Sequence, residues 1–572
     1  MRKEEGQKMA LIPMMVDDPK FSESGLADAL IERHEFREDY FLDGPVTRRI
    51  AVLDFDERTG ALVPGVPYER PKGRAVRGRY KLLPDPDHPD ATTRAFNQVS
   101  AFATVFRTVQ MYEDPDVLGR EVRWAFDAPQ LLVVPRAGQM ENAYYERDSH
   151  SLQFFFFPSN QDEKETVYTS LARDIVAHET GHAILDGIAP HLWFAITPQS
   201  RALHEAIGDL TALLVSMDSD KLRRAVLKKT NGSIKESTHF SAVAEQFGME
   251  RGQGALRNLY DEDLILSDAI RGEEHDLCRV LTAALYSVLV QMHDDRKQQE
   301  IARTGKDDYA VSGRALAIAA AQFRRMTMRA LDYLPAGEIS FADYGRAIIA
   351  PDQAAHPDDK KERDWLCREF VRRLMVQSPS ALVVDPPPED GLKRVDLQGL
   401  MDSDWVAYDF ANSKRGRQLL GIPKGVQFHV EPRLLVEREY FHRQEDGTPT
   451  DQKVGECLFK VWWYQQEENR LGSGFPTRRQ VVVGTTMAWD RDTGKLRVIL
   501  TTGNHDRDEL AGQQQDRDLM LARLADEGGL RPGPQRLGPD GRPLRLMANV
   551  ETTSQVMRVS NVARTLHFVK EV

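Results

Sequence analysis

Apolar positions recur at helical spacing through the middle of the chain and alternate towards its two ends, a pattern that predicts a mixed α+β protein. Val99, Phe102, Phe106 and Val109 line one face of a helix expected over Arg94 to Tyr112. Leu171, Ile175, Ile184 and Leu185 mark a second stripe that meets no proline before Pro190. A third, Ala206, Leu210, Leu213 and Leu214, runs through Ala202 to Met217. The longest starts at His275 and carries Leu277, Val280, Leu281, Ala284, Leu285, Val288 and Leu289. Ser312 to Leu334, a helix opened by the capping pattern Ile339 to Asp343, and Asp364 to Met375 extend this into a helical bundle. Strands are expected at Ile50 to Phe55, before the turn Arg58-Thr59-Gly60, at Leu131 to Val134 and at Phe154 to Phe157.

A chain of 572 residues is too long for one core, and Pro386-Pro387-Pro388-Glu389-Asp390-Gly391 reads as a linker. The expected segments are a β-rich N-terminal extension (1–90), a first lobe (91–220), a helical lobe (221–377), a linker (378–395) and a β-rich accessory domain (396–572). In the last, Leu434 to Phe441, Cys457 to Tyr464, Gln480 to Trp489 and Leu496 to Leu500 read as strands, and Ala511 to Glu527 as a helix. Val556 to Val569 reads as a strand pair or a helix. Trp462-Trp463-Tyr464 reads as core on one face and binding on the other, core being the preferred assignment, and the accessory domain as a whole is where a protein partner is expected. The balance of 76 Lys and Arg against 88 Asp and Glu, net −12, argues against a general nucleic-acid binder. Cys278, Cys367 and Cys457 are too few and too scattered for a disulfide framework. Met1 to Asp18 lacks the apolar core of a secretory leader and no stretch reaches the length of a membrane span, so a cytoplasmic location is expected.

The chemistry concentrates between Thr166 and Met217, in His178-Glu179-Thr180-Gly181-His182 and His204-Glu205-Ala206-Ile207-Gly208-Asp209. Histidines four apart on a helix share a face and reach one metal ion, with Glu179 placed to take a proton from a metal-bound water. Zinc (Zn2+) needs a third protein ligand and, for catalysis, a fourth position open to water. Glu205 is the candidate ligand, and Asp209, one turn on, would accept the outer ring N–H of a ligand histidine.

These two motifs, in this order, resemble the zinc helix and the Glu-Ala-x-x-Asp helix of the thermolysin-like metallopeptidases of the gluzincin group. The resemblance covers roughly Ala91 to Val376 and implies a zincin fold: a β-rich lobe carrying the zinc helix, then a helical lobe. It implies hydrolysis of a peptide or protein substrate, with a bulky apolar residue preferred after the scissile bond from Ile175 and Leu256. Asn142-Ala143-Tyr144-Tyr145 looks like that family's substrate-binding edge strand, so Asn142 and the Ala143 carbonyl inherit contacts to the peptide, and Arg257 one to a substrate carbonyl. His275 matches the histidine that donates to the oxyanion; its usual Asp partner has no counterpart, leaving Asp268, Glu273 or Glu274. Trp193 stands where the family's second oxyanion donor, a Tyr, is expected. Asp174 matches one calcium-binding carboxylate, while Ser216 replaces another acid, so a Ca2+ pair is reproduced only in part.

Two other readings share these residues. Gly138-Gln139-Met140-Glu141-Asn142 resembles the strand on which zinc aminopeptidases hold a free N-terminus, with Glu141 as the anchor. Alternatively the zinc is a structural brace and the protein a binding module acting through the residues after Gly391.

Overall fold

The computed structural model describes residues 8–16, 31–38, 40–72, 77–85, 88–160, 165–235, 238, 240–243, 257–269, 273–355, 360–384, 395–443, 449–472, 474–503, 507–526, 549–553 and 556–560. Strand β1 (Lys8–Met15) pairs antiparallel with β2 (Ile31–Glu38), and β3 (Ile50–Val52), β4 (Tyr68–Glu69) and β5 (Arg77–Tyr80) follow. The first sheet has the order β2-β1-β5-β4. Its Ala10, Ile12 and Met14 are fully buried, and Pro13 and Met15 on the other face are buried too, so the end of β1 is covered on both faces. It packs against α1 (Arg94–Glu113), whose Ser100 hydroxyl accepts from the Met15 amide.

A second sheet combines β3 with β6 (Leu131–Val134), β7 (Ala143–Glu146) and β8 (Ser151–Phe154), in the order β3-β6-β8-β7. Ile50, Ala51 and Val52 lie parallel to Leu131, Leu132 and Val133. The boundary expected at residue 90 is therefore crossed, because a parallel partner distant in the chain leaves no mark in local alternation. β7 closes the order as an edge strand, and the hairpin of β9 (Phe156–Pro158) and β10 (Thr166–Tyr168) leads into the helices.

The helical body comprises α2 (Arg173–Ile188), α3 (Pro198–Met217), α4 (Asp220–Lys229), α5 (Glu274–Thr304), α6 (Tyr309–Arg329), α7 (Phe341–Ala355) and α8 (Lys361–Arg372). Its limits follow ordinary end chemistry. Pro198 occupies the first turn of α3, Gly305 ends α5 at φ 68, and the Asp308 side chain caps the Val311 amide of α6.

The residues after the linker begin with helices, not strands: α9 (Leu397–Asp402), α10 (Asp404–Asn412) and α11 (Lys414–Leu420). Each is too short for a stripe, but Asp396, Ser403 and Ser413 cap them in turn. Then come β11 (Phe428–Arg443), β12 (Pro449–Glu468), β13 (Arg478–Asp490), β14 (Leu496–Thr501), α12 (Arg507–Asp526), β15 (Asn549–Thr553) and β16 (Val556–Ser560). The sheet runs β11-β12-β13-β16-β15, with β14 on β13. Strand alternation splits β12 between two cores: Cys457, Phe459, Val461 and Trp463 pack with Leu400, Ala407 and Leu420, whereas Leu458 joins the main core with Val436, Ala488, Val498 and Leu500. The last third is thus not a separately packed appendage.

Buried charges fix this docking. Arg438 of β11 bonds Asp332 and Glu456, the Tyr333 hydroxyl donates to Glu456 (2.7 Å), Arg120 pairs with Asp332, and the Lys460 ammonium donates to the Leu334 carbonyl (2.9 Å). Trp462, on the same face of β12, stacks on His429 (3.9 Å between centroids) and meets His191 of the α2–α3 loop (4.7 Å). Burial, then the cations Lys460 and Arg147, His429 and Arg558, push the His191 imidazole down to about 4. Among the described residues no helix is long and apolar enough to cross a membrane.

Replacing Asp332 with Ala takes the carboxylate from Arg120 and one of two carboxylates from Arg438 in a buried cluster, and is expected to cost about 3–5 kcal/mol. In urea titrations, one shifted transition is expected from probes on both sides of the linker; two separate transitions would show that the halves fold independently. Acid supplies a second check. Between pH 6.5 and about 4 the unfolded chain takes up the proton that folded His191 refuses, so stability falls as pH falls through that window. The loss is at most about 1.4 kcal/mol per pH unit, and His191→Gln should flatten that limb in denaturation series.

Candidate metal centre

Every described side chain of α3 except Gln199 is buried, although the helix carries Arg201, His204, Glu205 and Asp209. Ionisable groups survive in such a place only with partners, so their contacts define the site. Arg201 pairs with Glu274 (2.6 Å), and the other three turn towards α2.

The two helices cross at glycine. A Cβ on Gly208 would stand 2.6–2.9 Å from atoms of the His178 ring, and one on Gly181 would stand 2.8 Å from the Thr211 hydroxyl and 3.3 Å from the Gly208 Cα. Only hydrogen fits at either position. The close crossing brings the short Glu205 side chain of α3 onto the ring nitrogens of α2.

His178 Nε2 and His182 Nε2 lie 3.0 Å apart, Glu205 Oε2 is 3.6 Å from the first and Glu205 Oε1 3.6 Å from the second. A tetrahedral zinc with bonds of about 2.0–2.1 Å separates its donor atoms by about 3.3 Å, so these residues fit such an ion. The donor set, two imidazoles and one carboxylate, is also one that zinc accepts. Ligand atoms of His178, Glu179 and His182 all lie within 4.8 Å of one another, which sets Glu179 beside the same point. Burial works against a charged Glu205, yet the His275 charge and the contacts from His178 and His182 outweigh it and hold the carboxyl well below the usual range.

A surrounding layer orients these groups. His178 Nδ1 stands 3.0 Å from Asp209 Oδ1, as expected from the spacing of Glu205 and Asp209. The Cys278 thiol of α5 donates to the other oxygen of Asp209 (3.4 Å). His182 Nδ1 is 2.7 Å from His204 Nδ1. A ring that ligates through Nε2 keeps its proton on Nδ1, so His182 donates and His204 accepts. Neither role of His204 nor that of Cys278 was assigned from sequence; the signal for His204 was its place immediately before Glu205. Asp186, one turn beyond His182, was also overlooked: it accepts from the Tyr145 hydroxyl (2.9 Å) and pairs with Arg147, tying β7 to α2.

β7 faces this centre. Asn142 accepts from Phe155 in the ladder, so by strand parity Ala143 and Tyr145 direct their backbone groups away from β8. The Tyr145 amide duly donates to Glu179 Oε2 (3.0 Å). Asn142 Oδ1 accepts from the Ala143 amide (2.9 Å), and Glu141 is exposed just before it. His275 lies in the first turn of α5 with Nε2 3.4 Å from Glu205 Oε2 and Nδ1 3.3 Å from Glu273 Oε1. Of the three acids considered, Glu273 is its partner: Glu274 is engaged by Arg201, and Asp268 accepts from the Ile265 amide. The bond from His275 is the main reason that the Glu273 carboxyl is held low.

The remaining expectations fall as follows. Trp193 is buried edge-on against Tyr145 (5.1 Å) and His204 (5.7 Å) and beneath Arg147, contacts of a supporting wall. Arg257 sits in a short strand, Arg257–Asn258, paired with Ala242–Val243, and Leu256 lies outside the described residues. Near Asp174 the fixed cation is Arg173, whose guanidinium donates to the carbonyls of Val16 (3.0 Å) and Val215 (2.8 Å), the latter beside Ser216. That arginine holds together the start of α2 and the end of α3, where the sequence resemblance reproduces a Ca2+ pair only in part. The chain matches no protein-family model and no curated protein.

Gly208→Ala is expected to displace the His178 ring and lower zinc affinity by at least tenfold in competition with a chromophoric chelator, whereas Gly313→Ala, whose Cβ would meet only Leu227 at 3.8 Å, should not. Asp209→Ala should weaken zinc about 10–100-fold by releasing His178 Nδ1. Unchanged affinity in both variants would show that neither group acts on the ligands.

Proposed function

We propose that the chain is a zinc-dependent peptidase, with zinc held by His178, His182 and Glu205. The observation that carries this reading is the convergence of two ring nitrogens and one buried carboxylate from crossing helices, beside a second carboxylate and an open strand edge. Bound zinc would supply Lewis acidity and bring the pKa of a coordinated water to about 7.

The protein's own groups divide the rest. Glu179 takes the proton of the attacking water and delivers it to the departing amine, its carboxylate oriented by the Tyr145 amide. His275, set by Glu273, donates to the oxygen that gains charge at the scissile carbonyl. An extended peptide adds to the open edge of β7, where Ala143 presents its carbonyl and Asn142 flanks it. Arg257 would hold a substrate carbonyl, Ile175 would favour a bulky apolar residue after the scissile bond, and Trp193 would support the oxyanion side only through His204 and Tyr145.

One distance favours a second reading. His275 Nε2 is as close to Glu205 Oε2 (3.4 Å) as one zinc ligand is to another, so His275 would serve equally as a fourth ligand that closes a structural site. The test uses N-blocked and free-amine peptides with wild type, Glu179→Gln and His275→Ala, zinc being measured in each. The peptidase reading expects cleavage of blocked peptides, loss of at least about 10²-fold in Glu179→Gln with zinc retained, and full zinc occupancy in His275→Ala. Cleavage of free-amine peptides alone would favour an aminopeptidase anchored by Glu141. No cleavage together with zinc loss in His275→Ala would favour the brace.

A further inference from the structure

We infer that α12, in the segment after the linker, is part of the catalytic unit, and that Arg523 is a positioning residue for His275. The inference rests on the peptidase reading for its kinetic consequence, but its geometry stands separately. Met520, Leu521 and Leu524 of α12, with Met557 of β16, form a small core around Ile196. Ile196 belongs to the loop between α2 and α3, the segment that separates His182 from Glu205. The same loop is fastened again: the Ile196 amide donates to Glu338 Oε1 (2.9 Å), and Arg517 of α12 bonds the other oxygen of Glu338 (2.8 Å). Arg517 is anchored in turn by Glu467 of β12 (2.7 Å).

One turn and a half further along α12, Arg523 reaches Glu273. Its guanidinium lies 4.0 Å from Glu273 Oε2, while Glu273 Oε1 is the atom that meets His275 Nδ1 at 3.3 Å. Each oxygen of Glu273 therefore faces a different partner, and Arg523 restrains the rotation that would take Oε1 away from the imidazole. A carboxylate held at both oxygens fixes ring orientation better than one held at a single oxygen. Arg523 and Glu273 are each about one-third exposed, so the restraint is a weak one, shared with water.

The experiment compares full-length wild type, Arg523→Ala, Arg523→Lys, Glu273→Gln and the double variant Arg523→Ala/Glu273→Gln. Turnover of a blocked peptide should fall about two- to fivefold in Arg523→Ala with KM unchanged, and Arg523→Lys should restore it. In the Glu273→Gln background the arginine change should have no further effect. Metal-free protein provides the independent measurement: carbethoxylation of His275, followed by mass spectrometry, should run faster in Arg523→Ala and be equal in Glu273→Gln and the double variant. Additive effects in the two backgrounds, or an unchanged modification rate in Arg523→Ala, would overturn the inference. A wild type without hydrolysis would instead overturn the peptidase reading, while the modification rates would still decide whether Arg523 orients His275.

Discussion

How closely two helix backbones approach decides everything at the centre of this protein. α2 and α3 touch at Gly181 and Gly208, where any Cβ would strike a neighbouring side chain. Helices separated by ordinary side chains lie about 8–10 Å apart, a gap that the short arm of a glutamate bridges poorly. Contact through glycine lets Glu205 of one helix meet His178 and His182 of the other. The cost is a carboxylate, three histidines and an aspartate gathered in a core. Within that group His178 is matched by Asp209 and His182 by His204, while Arg201 on the same helix is matched by Glu274.

The same economy of space extends outward. β12 alternates its side chains between two cores, and the face that carries Leu458, Lys460 and Trp462 is turned to the helical body. Arg438 and Asp332 bind that face to Arg120 and Tyr333. The α2–α3 loop is therefore held from above by Trp462 at His191 and from the side by α12 at Ile196.

Much of this was readable beforehand, and the reasons differ by element. Long helices announce themselves because their stripes repeat over several turns: α1 matches its expected limits to within a residue, α3 ends and α5 begins close to where the pattern placed them, and α5 then runs past the stripe's last residue, Leu289, to Thr304. The trio of His178, His182 and Glu205 was legible because helix geometry alone puts the first two on one face. The crossing was not: periodicity says which face is apolar, never how near another helix stands. Nothing in the sequence marks Gly181 and Gly208 as the contact point, which only their surroundings show. The partner of His275 was undecidable among three acids because the choice turned on Arg201, seventy-odd residues upstream, which claims Glu274. Parallel pairing of Ile50 with Leu131 and the three short helices after residue 396 escaped for related reasons, the one non-local, the other too brief to show a period.

The guanidinium of Arg438 donates to the carbonyl of Leu118, 320 positions earlier in the chain. Because the central core borrows side chains from β11 to β14, it cannot reach its final packing while that part of the polypeptide is still inside the ribosome. The nascent chain would emerge with an unfilled apolar surface over its middle third, and the core closes only once the strands up to Leu500 have left the ribosome.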